Sequence, residues 1–426
     1  MEKKIGNLFK GDKGIWTVFL FLCLISIVEV FSASSTLTYK THNYLTPLIY
    51  HTAMILVGVA VAIVTLNIPC RYFKLITPLM LVLTYATLLW VLIGGESING
   101  ANRVIQLPGF TFQPSEIAKG TMVLTAAQIL SAMQREDESG ADPKAMKYVL
   151  CLVVPATLLI GLENLSTACL LFAVIVVMMF IARVPLKQMG KLMGVLVLLV
   201  ALFLGLVFWL ARLDKEGQAL EQAQADGLTE QVEKPVEKKD RSGWEKLTHR
   251  FWTWKNRIAG KSDTNVPAEE YKITDKNFQV THANFAIASS GIIGKGPGNS
   301  VERDYLPQAF SDFIYAIIIE ELGLLGAIAV VFLYVILLFR TARIASRCEN
   351  NFPAFLAMGL GLLLVIQATF NMMVAVGLAP VTGQPLPLIS KGGTSTIINC
   401  AYIGAILSVS RSAKMKKVKE NEPNRA

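Results

Sequence analysis

The chain has 426 residues, of which 53% are apolar or aromatic and only 17% are charged, and its mean hydropathy is +0.49. That composition excludes an ordinary soluble protein, which needs a charged surface around each domain. The net charge of +9 would point to nucleic acid on a globular surface, but here the excess sits at the ends of apolar runs, so a nucleic-acid partner is excluded as well.

Charge-free windows run over residues 15–28, 52–70, 75–95, 120–134, 148–162, 164–182, 192–211, 322–339, 350–390 and 392–410. Each is close to the length that crosses a bilayer as a helix, and the fold expected is an all-α polytopic membrane protein of about ten transmembrane helices. The first window follows lysines and ends near Ser32-Ala33-Ser34, which resembles a signal peptide; nine further windows favour a span. Residues 1–212 then hold spans 1–7, residues 213–308 a large extracytoplasmic loop, residues 309–411 spans 8–10 and residues 412–426 a basic tail. Four lysines face two acids before Ile15, and six basic residues face two acids from Arg411 onward. Both termini are therefore expected in the cytoplasm, with basic ends that also grip membrane lipids. The long loop nearly balances its charge, 14 basic against 15 acidic residues, and long segments translocate regardless of charge. Six cysteines form no CxxC or zinc spacing, so neither a disulfide framework nor a metal site follows.

Four polar clusters stand where the membrane makes polarity costly. The first is Asn99-Gly100-Ala101-Asn102-Arg103 followed by Gln113-Pro114-Ser115-Glu116 and Lys119. It reads as an outer turn leading to a helix start, with Ser115 as N-cap and with Glu116 and Lys119 on one helix face. The second, Glu163-Asn164-Leu165-Ser166-Thr167, reads as a tight hairpin or a broken helix. The third runs from Gly291 through Gly296-Pro297-Gly298-Asn299-Ser300 to Ser311-Asp312 and Glu320-Glu321. Its closely spaced glycines could form an anion-binding nest, although no phosphate-loop pattern is present. The fourth, Gly377 to Ser395, carries Pro380, Pro385 and Pro387 and cannot be one helix. It reads as a loop returning into the last span, with Ser390, Lys391 and the Gly392-Gly393 amides facing a polar ligand.

Together these blocks, Asn-Gly-Ala-x-Arg with Gln-Pro-Ser-Glu-x-x-Lys, Gly-x-Gly-x-Gly-Asn-Ser with Ser-Asp-Phe-Ile and Glu-Glu-x-Gly, and Pro-x-Thr-Gly-x-Pro-Leu-Pro-x-Ile-Ser-x-Gly-Gly-x-Ser, resemble the SEDS family of bacterial cell-wall polymerases, the group of FtsW, RodA and SpoVE. The Gly296-Pro297-Gly298-Asn299-Ser300 run looks more like the division branch than the elongation branch. The resemblance implies a multi-pass enzyme of the bacterial cytoplasmic membrane, a peptidoglycan glycosyltransferase that polymerises lipid II into glycan strands during septal wall synthesis. Transfer would be inverting, with undecaprenyl diphosphate as leaving group. The partners implied are lipid II, a class B penicillin-binding transpeptidase and other divisome membrane proteins. No cofactor is implied with certainty beyond a possible Mg or Mn ion.

The chemistry needs a base for the acceptor hydroxyl and cations or dipoles for the departing diphosphate. By the resemblance the base is an outer-loop Asp between an Arg-Ile pair, here Arg257-Ile258, and a Gln, here Gln279. Asp263 and Asp275 both lie between them; the first stands at the family's modest distance from the pair and is preferred. The resemblance assigns Arg103, Glu116 and Lys119 to diphosphate binding and cavity organisation, and Asn299, Ser300, Asp312, Glu320, Ser390, Lys391, Gly392 and Gly393 to substrate contact. Asn164 replaces an Asp that many members carry, and Lys391 replaces a residue that is often aromatic. A lipid II flippase is the competing function, because a transporter would show the same polar clusters but needs no catalytic base.

Overall fold

The structure, a computed structural model, describes residues 10–34, 45–94, 96–98, 101–107, 110–135, 140–202, 205, 273, 277–306 and 309–420. They fall into two compact units, Met1–Pro185 with Gln279–Ala426, and Leu186–Phe278. In the first unit lie α1 (Lys13–Ala33), α2 (Leu45–Asn67), α3 (Cys70–Gly94), α4 (Pro114–Ala132), α5 (Pro143–Glu163) and α6 (Leu165–Ile181). The second contributes α7 over residues 186–202. Beyond it come the short α8 (Phe278–Ser290), then α9 (Ile314–Ala345), α10 (Asn351–Ala375) and α11 (Thr394–Glu420).

Each of the ten apolar windows overlaps a described helix, α1 to α7 and α9 to α11, although the window 350–390 leaves α10 at Ala375 and continues as a loop. Among the described residues, α1, α2, α3, α5, α9 and α10 are long and apolar enough to cross a membrane, and α6 is a shorter apolar helix. Leu56, Val64, Leu75, Leu79 and Val82 are exposed on α2 and α3, while Ser26, Thr84, Thr121, Gln367 and Asn371 are buried. Apolar groups outside and hydrogen-bonded polar groups inside is the arrangement a lipid solvent demands. The helices meet through small residues: a Cβ at Gly404 of α11 would lie 2.5 Å from the Ala62 carbonyl of α2, and one at Gly58 would lie 2.7 Å from Cys400 Sγ.

Side-chain contacts fix the two ends of this unit. At one, Arg340 Nε of α9 donates to Asp12, the N-cap of α1 (3.0 Å), Arg411 of α11 donates to Asn67 at the end of α2 (3.1 Å), and Gln134 after α4 donates to the Ala182 carbonyl after α6 (3.1 Å). The opposite end carries the loop 376–393, the glycine-rich segment and a feature the all-α expectation lacked. That feature is a small antiparallel sheet, in order β1 (Glu96–Ile98), β2 (Ala101–Leu107), β3 (Phe110–Phe112). Ile98 pairs with Ala101 and Leu107 with Phe110, so Asn99-Gly100 and Pro108-Gly109 are the connections. Asn-Gly between strand-forming residues is a strong hairpin signal, and it marks β1 and β2 in the sequence.

Two expected starts and breaks are resolved. The N-cap of α4 is Gln113, not Ser115, because Pro114 takes the first helical position, where a missing N–H costs nothing; Gln113 Nε2 instead donates to Ser115 Oγ (3.1 Å). Asn164 alone separates α5 from α6, capping α6 by accepting from Thr167 N (3.3 Å), which makes the second cluster a tight hairpin.

The longest helix, α9, is bent at Gly323, whose φ of 68° and ψ of −169° belong to a region only glycine occupies at low cost. The glycine-rich segment packs into the bend, so that a Cβ at Gly323 would lie 2.3 Å from the Ile292 carbonyl and one at Gly294 would lie 2.3 Å from the Glu321 carbonyl. Leu324 N and Leu325 N, released by the bend, donate to the Gly291 and Ile292 carbonyls (3.3 and 3.2 Å). Gly323→Ala should therefore destabilise the protein by roughly 2–5 kcal/mol through strain and overpacking. Gly194→Ala, in α7 with open space around the Cβ position, should leave thermal melting in detergent unchanged or slightly raised.

Candidate active site

The third sequence cluster folds around a pair of carboxylates. Glu320 and Glu321 are buried in α9 just before the bend, and their oxygens collect donors from the glycine-rich segment. Glu320 accepts from Lys295 Nζ (2.6 Å), Ser300 Oγ (2.5 Å), Val301 N (3.1 Å) and Glu302 N (3.3 Å). Glu321 accepts from Gly298 N (3.0 Å), Ser300 N (3.3 Å) and Ser32 Oγ of α1, which itself accepts from Arg303 (2.9 Å). The nest expected from the glycine spacing exists, and the anions it holds are this chain's own glutamates. Ser300 and Glu320, both expected at the substrate, are hydrogen-bonded to each other and hold the segment against α9. Asn299 is exposed, with Nδ2 donating to the Lys295 carbonyl (3.0 Å). His282 of α8 anchors the same segment, pairing with Glu302 (2.6 Å) and stacking on Tyr305 (centroids 5.2 Å apart).

The fourth cluster is a buried loop whose carbonyls are taken up by side chains from the spans. Asn371 of α10 donates to Gln384 O (2.7 Å), Gln367 of α10 to Pro385 O (3.1 Å), Tyr334 of α9 to Pro387 O, and Ser26 of α1 to Ile389 O (2.6 Å). Leu388, between two pinned carbonyls, is held at a φ of 68°, strain that persists only where neighbours fix it. Ser390 donates to Ser311 O (2.6 Å) and accepts from Leu386 N (2.7 Å), so it too shapes the loop.

Glu116 and Lys119 reach this loop from α4. Lys119 is fully buried; its Nζ lies 2.9 Å from Glu116 Oε1 and donates to Gln367 Oε1 (2.7 Å). The chain Glu116, Lys119, Gln367, Pro385 O thus links the early spans to the loop. Glu116 Oε2 has no partner.

What remains open to a ligand is the stretch before α11. Lys391 is half-buried, its backbone N held by Phe310 O (2.9 Å) and its ammonium 5.0 Å from the Phe310 ring centroid. Among the described residues no carboxylate pairs with it, and burial lowers its pKa from the ordinary lysine value. The amides of Gly392 and Gly393 precede the first turn of α11, a natural anion site. Asp312 stands beside this stretch, its Oδ1 accepting from Ser311 Oγ (2.9 Å) and its carbonyl from Asn371 (2.8 Å). Asn371 Oδ1, Thr382 Oγ1 and Gln384 Oε1 are buried acceptors with no protein partner. The backbone of Arg103 lies in β2; its side chain, and Asp263 and Asp275 entirely, lie outside the described residues.

Gln367, Asn371, Gln384 and Tyr334 were missed because they are uncharged. The available signal was Gln367 and Asn371 four apart in an otherwise apolar window, one face of a helix carrying two amides. Lys119→Met should destabilise the protein by about 3–5 kcal/mol, because it strands the buried Glu116 carboxylate. The double variant Glu116→Gln/Lys119→Met should recover most of that loss in a double-mutant cycle read by thermal melting.

Residues 12–228 and 248–415 match the family profile described as "Cell cycle protein" for FtsW, RodA and SpoVE. Among curated relatives, a probable peptidoglycan glycosyltransferase FtsW of Idiomarina loihiensis is 31% identical over 95% of this chain and 88% of its own. That of Hahella chejuensis is 32% identical over 87% of this chain and 83% of its own. Among solved structures, a chain of a peptidoglycan synthase complex covers 95% of this chain and 99% of its own with a TM-score of 0.67, at 20% identity. The rod shape determining protein RodA of Thermus thermophilus covers 95% and 98% with a TM-score of 0.59, also at 20% identity. The fold these structures share, and the family blocks laid out around one loop and one bent helix, agree: the chain belongs to the FtsW/RodA/SpoVE family of membrane proteins.

Proposed function

We propose that this protein is a peptidoglycan glycosyltransferase of the bacterial cytoplasmic membrane, with both termini cytoplasmic, that polymerises lipid II during septal wall synthesis beside a class B penicillin-binding transpeptidase. The observation that carries the reading is the stretch from Lys391 to Gly393. An ammonium with no carboxylate partner among the described residues and two glycine amides at a helix start, in the same loop as the buried acceptors Thr382 Oγ1 and Gln384 Oε1, suit a diphosphate ester of a sugar. The relatives are named probable peptidoglycan glycosyltransferases, and the cation beside glycine amides supports the reading of a leaving-group site.

In the proposed reaction the acceptor hydroxyl oxygen forms a bond to the anomeric carbon as the bond from that carbon to the diphosphate oxygen breaks, with inversion. The hydroxyl proton passes to an outer-loop aspartate, Asp263 or Asp275. Lys391 and the Gly392-Gly393 amides take up the charge that develops on the diphosphate. Glu116, Lys119 and Gln367 keep the loop in the shape that presents them. Among the described residues no group of three His, Cys, Asp or Glu side chains could hold a metal ion.

The test is glycan-strand formation from lipid II by the detergent-solubilised protein with its transpeptidase. One of Asp263→Ala and Asp275→Ala should lose roughly 100-fold or more of the rate while still melting as a folded, partner-bound protein. Polymer from both variants at the wild-type rate, or lipid II transport without polymer in all three, would overturn the reading in favour of a flippase. Lys391→Gln should lose about tenfold to a hundredfold. Because burial lowers the Lys391 pKa, the cation is lost as pH rises through a value below the ordinary ~10.4 of lysine. The alkaline limb of the rate profile should move to higher pH in Lys391→Arg.

A further inference from the structure

At the arginine-rich end of the first unit, a cavity of about 640 Å³ opens between the ends of α4, α6 and α9 and the start of α10. Arg135, Arg183, Gln134, Asn351 and Phe355 stand in its wall with Glu349, its single acid, which is engaged in an interaction of its own. Both arginines are exposed, and among the described residues no carboxylate pairs with either. Their positions are fixed by backbone. Arg135 N donates to Gly140 O and Ala141 N to Ala182 O (both 3.1 Å). Arg183 is held at a φ of 56°, with its carbonyl 2.5 Å from where a Cβ on Gly140 would be. The N-cap of α10, Asn350, makes no side-chain capping bond, so the first N–H groups of a 25-residue helix add positive potential on the same side.

We propose that this cavity binds the phosphodiester headgroup of an anionic phospholipid, with Arg135 and Arg183 taking the phosphate oxygens. The cavity falls in the size range of organic-ligand sites rather than that of a bare ion. Its wall is partly apolar through Phe355 and Ile181, and it lies where α4, α6, α9 and α10 have their ends, two of them, α9 and α10, long and apolar enough to cross a membrane. Basic recesses between spans are where such headgroups bind. The leaflet is the cytoplasmic one if the orientation proposed above holds; the recognition chemistry does not depend on it.

The experiment is native mass spectrometry of the delipidated full chain in detergent, titrated with phosphatidylglycerol or phosphatidylcholine of the same acyl chains, with inorganic phosphate as soluble competitor. Wild type should prefer phosphatidylglycerol by about tenfold or more. The preference should vanish in Arg135→Gln/Arg183→Gln, and survive both in Arg135→Lys/Arg183→Lys and in Arg71→Gln/Lys74→Gln, whose charges lie outside the cavity. If the paired glutamine variant does not fold, Arg135→Gln alone, at an exposed position outside any helix, should reduce the preference. Equal affinity for the two lipids, a preference that survives the glutamine variants, or full displacement by phosphate at concentrations equal to the lipid would overturn the proposal, the last by making this an ion site.

Discussion

A buried stretch of chain that is neither helix nor strand has to find partners for its carbonyls from outside itself. In this protein that stretch is the loop 376–393, and the surrounding spans are arranged to meet the requirement. Pro385 and Pro387 have no N–H to satisfy, which leaves mainly acceptors, and four of these are met by Ser26, Tyr334, Gln367 and Asn371 from three spans. A hydrogen bond of this kind contributes only about 1 kcal/mol net, but an unmet buried carbonyl costs more than that. The constraint therefore acts on specificity: α1, α9 and α10 must all be in register for the loop to exist, and only then does the chain enter α11 with Lys391 and two glycines at its start.

The glycine-rich segment solves the opposite problem. There the excess is of donors, the amides of Gly298, Ser300, Val301 and Glu302, and the acceptors are two carboxylates sunk in α9. Burying two adjacent acids is expensive unless they are saturated with donors and cations. Lys295 supplies a cation at 2.6 Å from Glu320, and Arg303 one 3.9 Å from Glu321. The bend at Gly323 opens α9 enough for the segment's backbone to come within hydrogen-bonding distance. In the third and fourth clusters the polar side chains largely hold backbone.

Much of the fold was legible because the solvent writes it. Each of the ten apolar windows overlaps a described helix, since a bilayer core permits little else. The loop 376–393 was legible from its prolines, and Glu116 with Lys119 from their spacing. The small sheet was overlooked although Asn99-Gly100 announced it, because the span count drew attention to apolar length rather than to turn chemistry. The site was legible in its charged members and not in its uncharged ones. Gln367 and Asn371 matter through which carbonyl each reaches, and pairing across more than ten residues of sequence leaves no periodic trace. The donors that Glu320 collects were hidden for the same reason: a buried carboxylate looks alike in sequence whatever loop closes over it.

The long separations in sequence between partners carry a consequence for how the protein comes into being. Ser26 waits for Ile389, 363 residues later, Thr167 for Gln384, 217 later, and Lys119 for Gln367, 248 later. While the ribosome is still making the last spans, the early ones are already in the bilayer without these late partners. Two of the groups have an earlier companion: Ser26 has His51 of α2 at 2.9 Å, and Lys119 has Glu116 one turn away on α4, so the costliest charge enters the membrane already neutralised. The rest of the site is assembled in a single late event, when α10 and α11 arrive, and a chain truncated before them holds every early residue of the site in place without possessing the site.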